Sequence, residues 1–367
     1  MSEQNHRCWV EIERDALRHN AAFIRRKLGP EIGIIAVVKA NAYGHGLIGC
    51  TKALADHVQY FGVANVEEAL ALRAAVSHPV VILGPALPGE RPAIAEAGFI
   101  PSISTAEEAE DFNRLGERRK TAINLKIDTG MGRMGVLAQD AIALCKRVAA
   151  LPNIEIDSIS THLPVSNEDE LFTRDQLGTF STLVRRLRAE VRGRYKVHVL
   201  QTAGVLHYAQ EPFELVRPGM LLYGISPLPD FQQELRPAMT WKSRVVLVRE
   251  MPAGHGISYG RTFLTPRPTL VATLAAGYAD GYPRHLSNCG ASVLVRGKRC
   301  ALLGRVTMDL TMIDVTGVPD VQPGEEVVLM GRQAGAEIPC SELAERAGTI
   351  TWEITTRIGA RVRRVYV

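Results

Sequence analysis

The chain has 367 residues, enough for two domains or for one barrel with an appended unit. Its 46% hydrophobic and 22% charged residues are those of an ordinary globular protein, and a net charge of +4 is too small and too dispersed for a nucleic-acid partner. The six cysteines are scattered without metal-ligand spacing, no apolar run approaches membrane-spanning length and 1–7 lacks a signal-peptide apolar core, so the expectation is a cytoplasmic protein with reduced thiols, no metal and no membrane partner.

From the start to about residue 230, short apolar runs alternate with amphipathic stretches. The runs cover 34–38, 61–64, 80–83, 99–103, 123–127, 156–160, 197–200 and 215–216. Between them 66–75, 105–115, 138–150 and 172–192 carry helical periodicity, and both Asn65-Val-Glu-Glu68 and Thr105-Ala-Glu-Glu108 resemble capping boxes. Eight strands alternating with helices predict a (β/α)8 barrel over 1–235. A doubly wound open sheet is the alternative, and no G-x-G-x-x-G fingerprint supports it. After residue 236 the pattern predicts strands over 241–249, 269–275, 291–296, 301–306, 312–315 and 326–330, with 341–347 as the one helix. This is a mostly β domain over 236–367. The basic cluster Arg357, Arg361, Arg363 and Arg364 reads as a solvated or interface face.

Barrel enzymes place their chemistry at the C-terminal ends of the strands. The first strand ends at Lys39, with Tyr43, Gly44 and Gly46 just beyond it. Taken alone, that stretch fits a reactive amine beside an anion site or a lysine that reaches solvent from a strand end. The fifth strand runs through Lys126 toward Arg133, the sixth ends at His162, the seventh at Gln201-Thr202, and the eighth leads into Arg217-Pro-Gly-Met220. Two lysines, two arginines, a histidine and a Thr-Ala-Gly turn on one rim favour an anionic ligand. A phosphate held by Thr202, Tyr43 and the Gly219 and Met220 amides fits barrel phosphate chemistry.

Seven ordered motifs run through both parts of the chain. They are AVVKANAYGHG around Lys39, NLKIDTGMGRMG (124–135), STHLPVSNEDE (160–170), LVRPGMLLYG (215–224), ISYGRTF (257–263), AAGYADGYPR (275–284) and GRVTMDLTMIDVT (304–316). With these motifs the chain resembles the bacterial alanine racemases, a pyridoxal-phosphate-dependent family of barrel-plus-β-domain enzymes. The resemblance implies that Lys39 carries the cofactor covalently and that Tyr43, Thr202, Gly219 and Met220 hold its phosphate. It places Arg217 opposite the pyridine nitrogen, supported by His198, with His162 near the ring. Arg133 would orient the substrate, Met308 would contact it, and Lys126 matches a lysine that is carbamylated in many members. Tyr259 would enter the active site of the other subunit of a homodimer, with Tyr278 near the entrance and Asp309 beside Met308. The chain departs from the family at Gln201, where asparagine is usual, and at Trp352, which stands where a tyrosine beside the phosphate is usual. Thr307 replaces a common cysteine.

The chemistry implied is interconversion of L- and D-alanine, with D-alanine supplied to cell-wall synthesis. Inversion removes a proton from one face of Cα and returns one to the other, so two opposed bases, Lys39 and Tyr259, are the economical arrangement. A lysine of ordinary pKa about 10.4 and a tyrosine of about 10 need neighbouring cations to lower both values. Arg217 stays protonated, so it keeps the pyridine nitrogen unprotonated and weakens the electron sink, which suppresses transamination. The alternatives are a racemase preferring serine or another small amino acid, a fold-related decarboxylase, and a non-catalytic pyridoxal-phosphate-binding protein.

Overall fold

The computed structural model describes residues 6–191, 193–211 and 213–367. Arg192, the end of the fourth expected helix, and the first five residues of the expected barrel domain lie outside the described residues. The chain divides into a barrel unit, 15–42 with 47–236, and a second unit made of its start, 43–46 and 237–367.

In chain order, strand β1 (Cys8–Ile12) comes first and belongs to the second unit. The barrel unit then supplies β2 (Gly33–Val37), β3 (Tyr60–Val63), β4 (Val80–Ile82), β5 (Ile100–Ile103), β6 (Thr121–Asp128), β7 (Val136–Leu137), β8 (Ile154–Ser160), β9 (Lys196–Gln201) and β10 (Leu215–Arg217). They pair in the order β5-β4-β3-β2-β10-β9-β8-β6, and β5 also pairs with β6, so eight parallel strands close on themselves while β7 only extends β6. All eight apolar runs read from the sequence are strands, because strands buried on both faces need near-continuous apolar residues. Ile35, Tyr60, Val81, Ile100 and Leu215 pack together inside the barrel. Burial of each aliphatic side chain there is worth about 1.5–3 kcal/mol.

Helix starts follow the local signals closely. Thr105 and Glu108 form a complete capping box ahead of helix Ala106–Leu115. At Asn65 only half the box forms: its side chain accepts from the Glu68 amide at 3.0 Å, while Glu68 turns instead to the amides of Ala64 (2.9 Å) and Asn41 (3.3 Å). Glu68 is thereby diverted from its helix to the segment that follows Lys39.

The second unit contains β11 (Met239–Met251), β12 (Gly256–Ile257), β13 (Phe263–Leu264), β14 (Thr269–Leu274), β15 (Ser292–Val295), β16 (Lys298–Ala301), β17 (Thr311–Asp314), β18 (Glu326–Gln333), β19 (Ala336–Ile338) and β20 (Arg363–Tyr366). Its main path is β16-β15-β18-β11-β1-β20, with β1 antiparallel to β11 and parallel to β20.

Four expectations are corrected here. The barrel unit does not begin at residue 1, because Cys8–Ile12 buries its apolar residues between two distant strands of the other unit. A strand over 301–306 does not form: β16 stops at Ala301 and Leu302 makes a single bridge to Ile313 before the chain turns at Gly304. Among the described residues the second unit has two α-helices, Cys340–Ala347 and Thr351–Thr356. The short second one starts without a side-chain cap, which is why no start signal marked it. The basic cluster is not a uniformly solvated face. Arg361 bridges Asp280 and Asp309 at 2.7 Å each, and Arg364 donates to the carbonyls of Gly44, Ile358, Gly359 and Val362.

Candidate active site

The barrel unit brings together Lys39, Lys126, Arg133, His162, His198, Thr202, Arg217, Gly219 and Met220 around the C-terminal ends of its strands. Lys39 follows β2 directly, and the strand end before it is held on all sides. Val37 donates to the Pro218 carbonyl at 3.0 Å and accepts from the Tyr223 hydroxyl at 3.0 Å, while Val38 donates to the Gly62 carbonyl at 2.9 Å. Beyond Lys39 the backbone winds left-handed: Ala40, Asn41, Ala42 and Tyr43 all have φ between 52° and 54°. Such a conformation costs about 1–2 kcal/mol per non-glycine residue, so local bonds must hold it. Asn41 supplies two of them, accepting from the Leu47 amide at 2.8 Å through its side chain and donating its own amide to Glu68.

In the second unit, a Cβ on Gly44 (φ +83) would lie 2.0 Å from the Thr355 carbonyl oxygen. Gly44→Ala is expected to cost about 3 kcal/mol or more, from the left-handed backbone and the clash together. Thermal unfolding of that variant against the parent protein, at fixed cofactor concentration, checks this.

Arg217 is 5% exposed, and its guanidinium is consumed by neutral acceptors. Nη1 donates to the His198 carbonyl at 2.8 Å and contacts His198 Nδ1; Nη2 donates to the carbonyls of Thr161 (2.7 Å) and Val199 (2.9 Å) and reaches His162 Nδ1 at 3.3 Å. None of these bonds uses Nε, and none of the acceptors is a carboxylate. Burial, with Arg133 nearby, lowers its pKa to about 9, which leaves it charged at neutral pH. His162 is pushed down to about 2 by burial and then by Arg217, Lys126, Arg133 and Lys39, so it is a neutral imidazole. Burial and Arg217 hold His198 neutral too. Lys126, 8% exposed, sits well below the ordinary lysine value because of burial, Arg217 and Arg133. Lys39 is lowered by burial first and Arg133 second, with Glu68 opposing them.

The two carboxylates that face these cations are already spoken for. Glu68 accepts from the Ala64 and Asn41 amides, and Asp128 accepts from the amides of Gly130, Met131 and Gly132 at 2.8–2.9 Å. Asp128 thereby moulds the loop that presents exposed Arg133. Gly135 closes that loop at φ +111, where a Cβ would meet the backbone of Asp128 and Ile127 at 2.8 Å. At the end of β9 the Thr202 hydroxyl accepts from the Gly219 amide at 3.0 Å. Gln201 uses its extra length to span two segments: it accepts from the Gly204 amide at 2.8 Å and donates to the Ser166 hydroxyl at 2.7 Å. Among the described residues the rim gathers two lysines and two arginines, and the two carboxylates facing them are committed to backbone amides, an arrangement that fits an anionic ligand.

The remaining expected site residues lie in the second unit. Tyr43 is buried, which raises its phenol to about 12 and keeps it protonated as a donor. Trp352 is half-buried on helix Thr351–Thr356. Tyr259 is 71%, Met308 54% and Tyr278 42% exposed. The amides of Tyr278 and Ala279 donate to the carbonyls of Thr307 and Met308 at 3.0 and 2.9 Å, so Tyr278 and Met308 stand on one backbone-paired corner. Asp309 is tied to Arg361.

Two family models, the alanine racemase N-terminal domain over residues 12–227 and the alanine racemase C-terminal domain over 238–366, account for nearly the whole sequence. The chain is a member of the alanine racemase family. An alanine racemase of Halothermothrix orenii is 40% identical over 98% of this chain and 96% of its own length. The crystal structure of alanine racemase from D-cycloserine-producing Streptomyces lavendulae matches with a TM-score of 0.92 at 34% identity, covering 98% of this chain and 97% of that one. The Bartonella henselae alanine racemase, solved with covalently bound pyridoxal phosphate, matches with a TM-score of 0.88 at 29% identity over 99% of this chain and 100% of that one. Like the rest of the alanine racemase family, this chain is an isomerase that depends on pyridoxal phosphate. The residues present fit that cofactor: Thr202 and the amides beside it suit a phosphate, the buried Arg217 guanidinium makes no bond through Nε among the described residues, and Lys39 is an amine of lowered pKa. Sequence reasoning passed over Asp128, Gln176 and Glu68, whose roles depend on where their side chains bond after folding.

Proposed function

We propose that the chain interconverts L- and D-alanine with two opposed bases, Lys39 on one face of the substrate and Tyr259 of a second copy on the other. The observation that carries this reading is the lysine of lowered pKa at the end of β2, set in a rim of cations whose carboxylate neighbours are occupied. Pyridoxal phosphate, when bound, supplies the electron sink that acidifies the substrate Cα–H. Lys39 binds the cofactor, and its amine takes or returns the Cα proton on its own side. Arg133 binds the substrate carboxylate, and Met308 of a second copy lies against the substrate. Thr202, Gly219, Met220, Tyr43 and Trp352 hold the phosphate.

Arg217 faces the pyridine nitrogen and keeps it unprotonated, since a guanidinium holds its proton at neutral pH. His198 and His162, both neutral, accept from Arg217 rather than compete with it. Lys126 supports Arg133. Tyr259, Tyr278 and Met308 are exposed aromatic and thioether side chains of the kind found at interaction surfaces. A homodimer with shared sites would bring these side chains, with Asp309 next to Met308 in the chain, to the partner's substrate. Cytoplasmic placement and supply of D-alanine for cell-wall synthesis belong to the same reading.

The test is incubation of the holoenzyme with single enantiomers of alanine and, separately, serine in heavy water. Inversion of alanine with deuterium at Cα is the expected outcome. Faster inversion of serine would reassign the substrate, carbon dioxide release would indicate a decarboxylase, and no inversion of either amino acid overturns the reading.

A further inference from the structure

We propose that Gln176 is a positioning residue, whose hydrogen bonds tie the start of the loop that carries Arg133 to the segment that binds Arg217. Gln176 lies on helix Glu170–Glu190, outside every motif that identifies the site, and is 2% exposed. Its amide nitrogen makes two bonds of 2.9 Å, one to the hydroxyl of Thr129 and one to the carbonyl of His162. Thr129 opens the loop that carries Arg133, between the Asp128 cap and the Gly130–Gly132 amides that Asp128 binds. His162 follows β8 and contacts Arg217. The Thr129 hydroxyl continues to the Thr161 hydroxyl at 2.7 Å, and the Thr161 carbonyl accepts from Arg217 Nη2 at 2.7 Å.

A single amide group thus ties the β6 loop to the β8 end. The path from Gln176 through Thr129 and Thr161 reaches the guanidinium assigned to the cofactor ring. Both bonds need a donor, so neither leucine nor glutamate can replace the amide. Leucine lacks the donor, and a glutamate carboxylate would set an acceptor against the His162 carbonyl. The Gln176 carbonyl oxygen is itself buried without a partner among the described residues, so the site tolerates a polar cost to keep the NH2 where it is. Loosening this tie leaves Lys39 and its strand untouched and lets the Arg133 loop drift from the substrate carboxylate.

This inference rests on the reading of Arg133 as the carboxylate-binding residue. Gln176→Leu, Gln176→Glu and Thr129→Val are compared with the parent holoenzyme and with Val184→Ala, a core truncation two turns further along the same helix. The readouts are the dissociation constant of propionate, followed through the visible absorbance of the bound cofactor, then KM and kcat for L-alanine, and the melting temperature. Loss of one such bond is expected to raise the propionate constant and KM by about tenfold, with kcat within about threefold of the parent. Thr129→Val in the Gln176→Leu background should add less than the single change does alone. Val184→Ala should lower the melting temperature without moving propionate binding. If leucine at 176 prevents folding, the size-conserving Gln176→Glu and the Thr129→Val variants carry the same expectation. Unchanged propionate binding and KM in those variants, beside an active parent, would overturn the role of Gln176 alone. An inactive parent that binds no propionate would overturn the assignment of Arg133 beneath it.

Discussion

Lys39→Ala is expected to lower alanine racemisation by at least about 10³-fold and to abolish the visible absorbance of lysine-bound cofactor. The size of the effect follows from the two jobs that the proposed function gives to one amine. The strand before it is fixed through Val37 and Val38, and the left-handed run after it is fixed through Asn41 and Glu68, so the backbone holds this amine in one place. Burial and Arg133 hold the Lys39 ammonium below the ordinary lysine value, which raises the share of free amine at neutral pH over that of a solvent-exposed lysine. Alanine leaves a gap where that amine stood, so a small primary amine in the buffer should restore part of the turnover. Spectra and racemisation rates of the purified variant with added pyridoxal phosphate, with and without methylamine, measure both quantities. A variant that keeps its absorbance and racemises within tenfold of the parent would remove Lys39 from both roles.

The two neighbours of Lys39 in charge, Arg133 and Glu68, illustrate what could and could not be read in advance. Arg133 lies in a glycine-rich stretch after a strand, where an exposed arginine at a barrel rim already suggests an anion. Glu68 looked like the second half of a capping box, a purely local role, and only the fold reveals that it reaches the Asn41 amide. The eight barrel strands were legible because a parallel sheet buried on both faces writes its own apolar runs. β1 and β20 were not, because they exist through pairing between residues more than three hundred positions apart, such as Val10 with Arg364. The left-handed run Ala40–Tyr43 was equally invisible. Alanine, asparagine and tyrosine carry no strong signal for four successive positive φ values, and what imposes them is tertiary bonding. Gln176 is the extreme case, an ordinary polar residue on a helix whose two bonds both go to loops.

Arg217 limits what the site can do as firmly as Lys39 enables it. A buried guanidinium whose acceptors among the described residues are three carbonyls and two imidazole nitrogens is built to hold its protons rather than pass them on. In the proposed role opposite the ring nitrogen, it would offer a weaker sink than a carboxylate partner, which would favour prompt return of the proton over side reactions. Under the proposed two-base reading, stereochemical outcome would then depend on how fast, and from which face, the second base responds.

Tyr259→Phe is expected to keep the cofactor absorbance and to lower racemisation about 10²–10⁴-fold, the range for losing one general acid or base. The tyrosine is displayed rather than packed. It is 71% exposed between two residues of positive φ, Ser258 (63°) and Arg261 (46°). The pairing of β12 with β13 flanks it, and the Ser258 hydroxyl anchors the turn by donating to the Arg305 carbonyl at 2.6 Å. Strain held in place to present a phenol to solvent has no value to an isolated chain, but it does if a second copy's substrate lies there. With the phenol gone and Lys39 intact, only one enantiomer of alanine should still exchange its Cα proton with heavy water, and it should do so without inverting. Mixing the inactive Lys39→Ala and Tyr259→Phe proteins under conditions of subunit exchange should recover about a quarter of parent activity, because half the dimers are mixed and each mixed dimer regains one intact site. Exchange of both enantiomers at parent rates in Tyr259→Phe would remove the phenol as a base. Exchange confined to one enantiomer, with no recovery on mixing, would keep the base and overturn its delivery from a second copy.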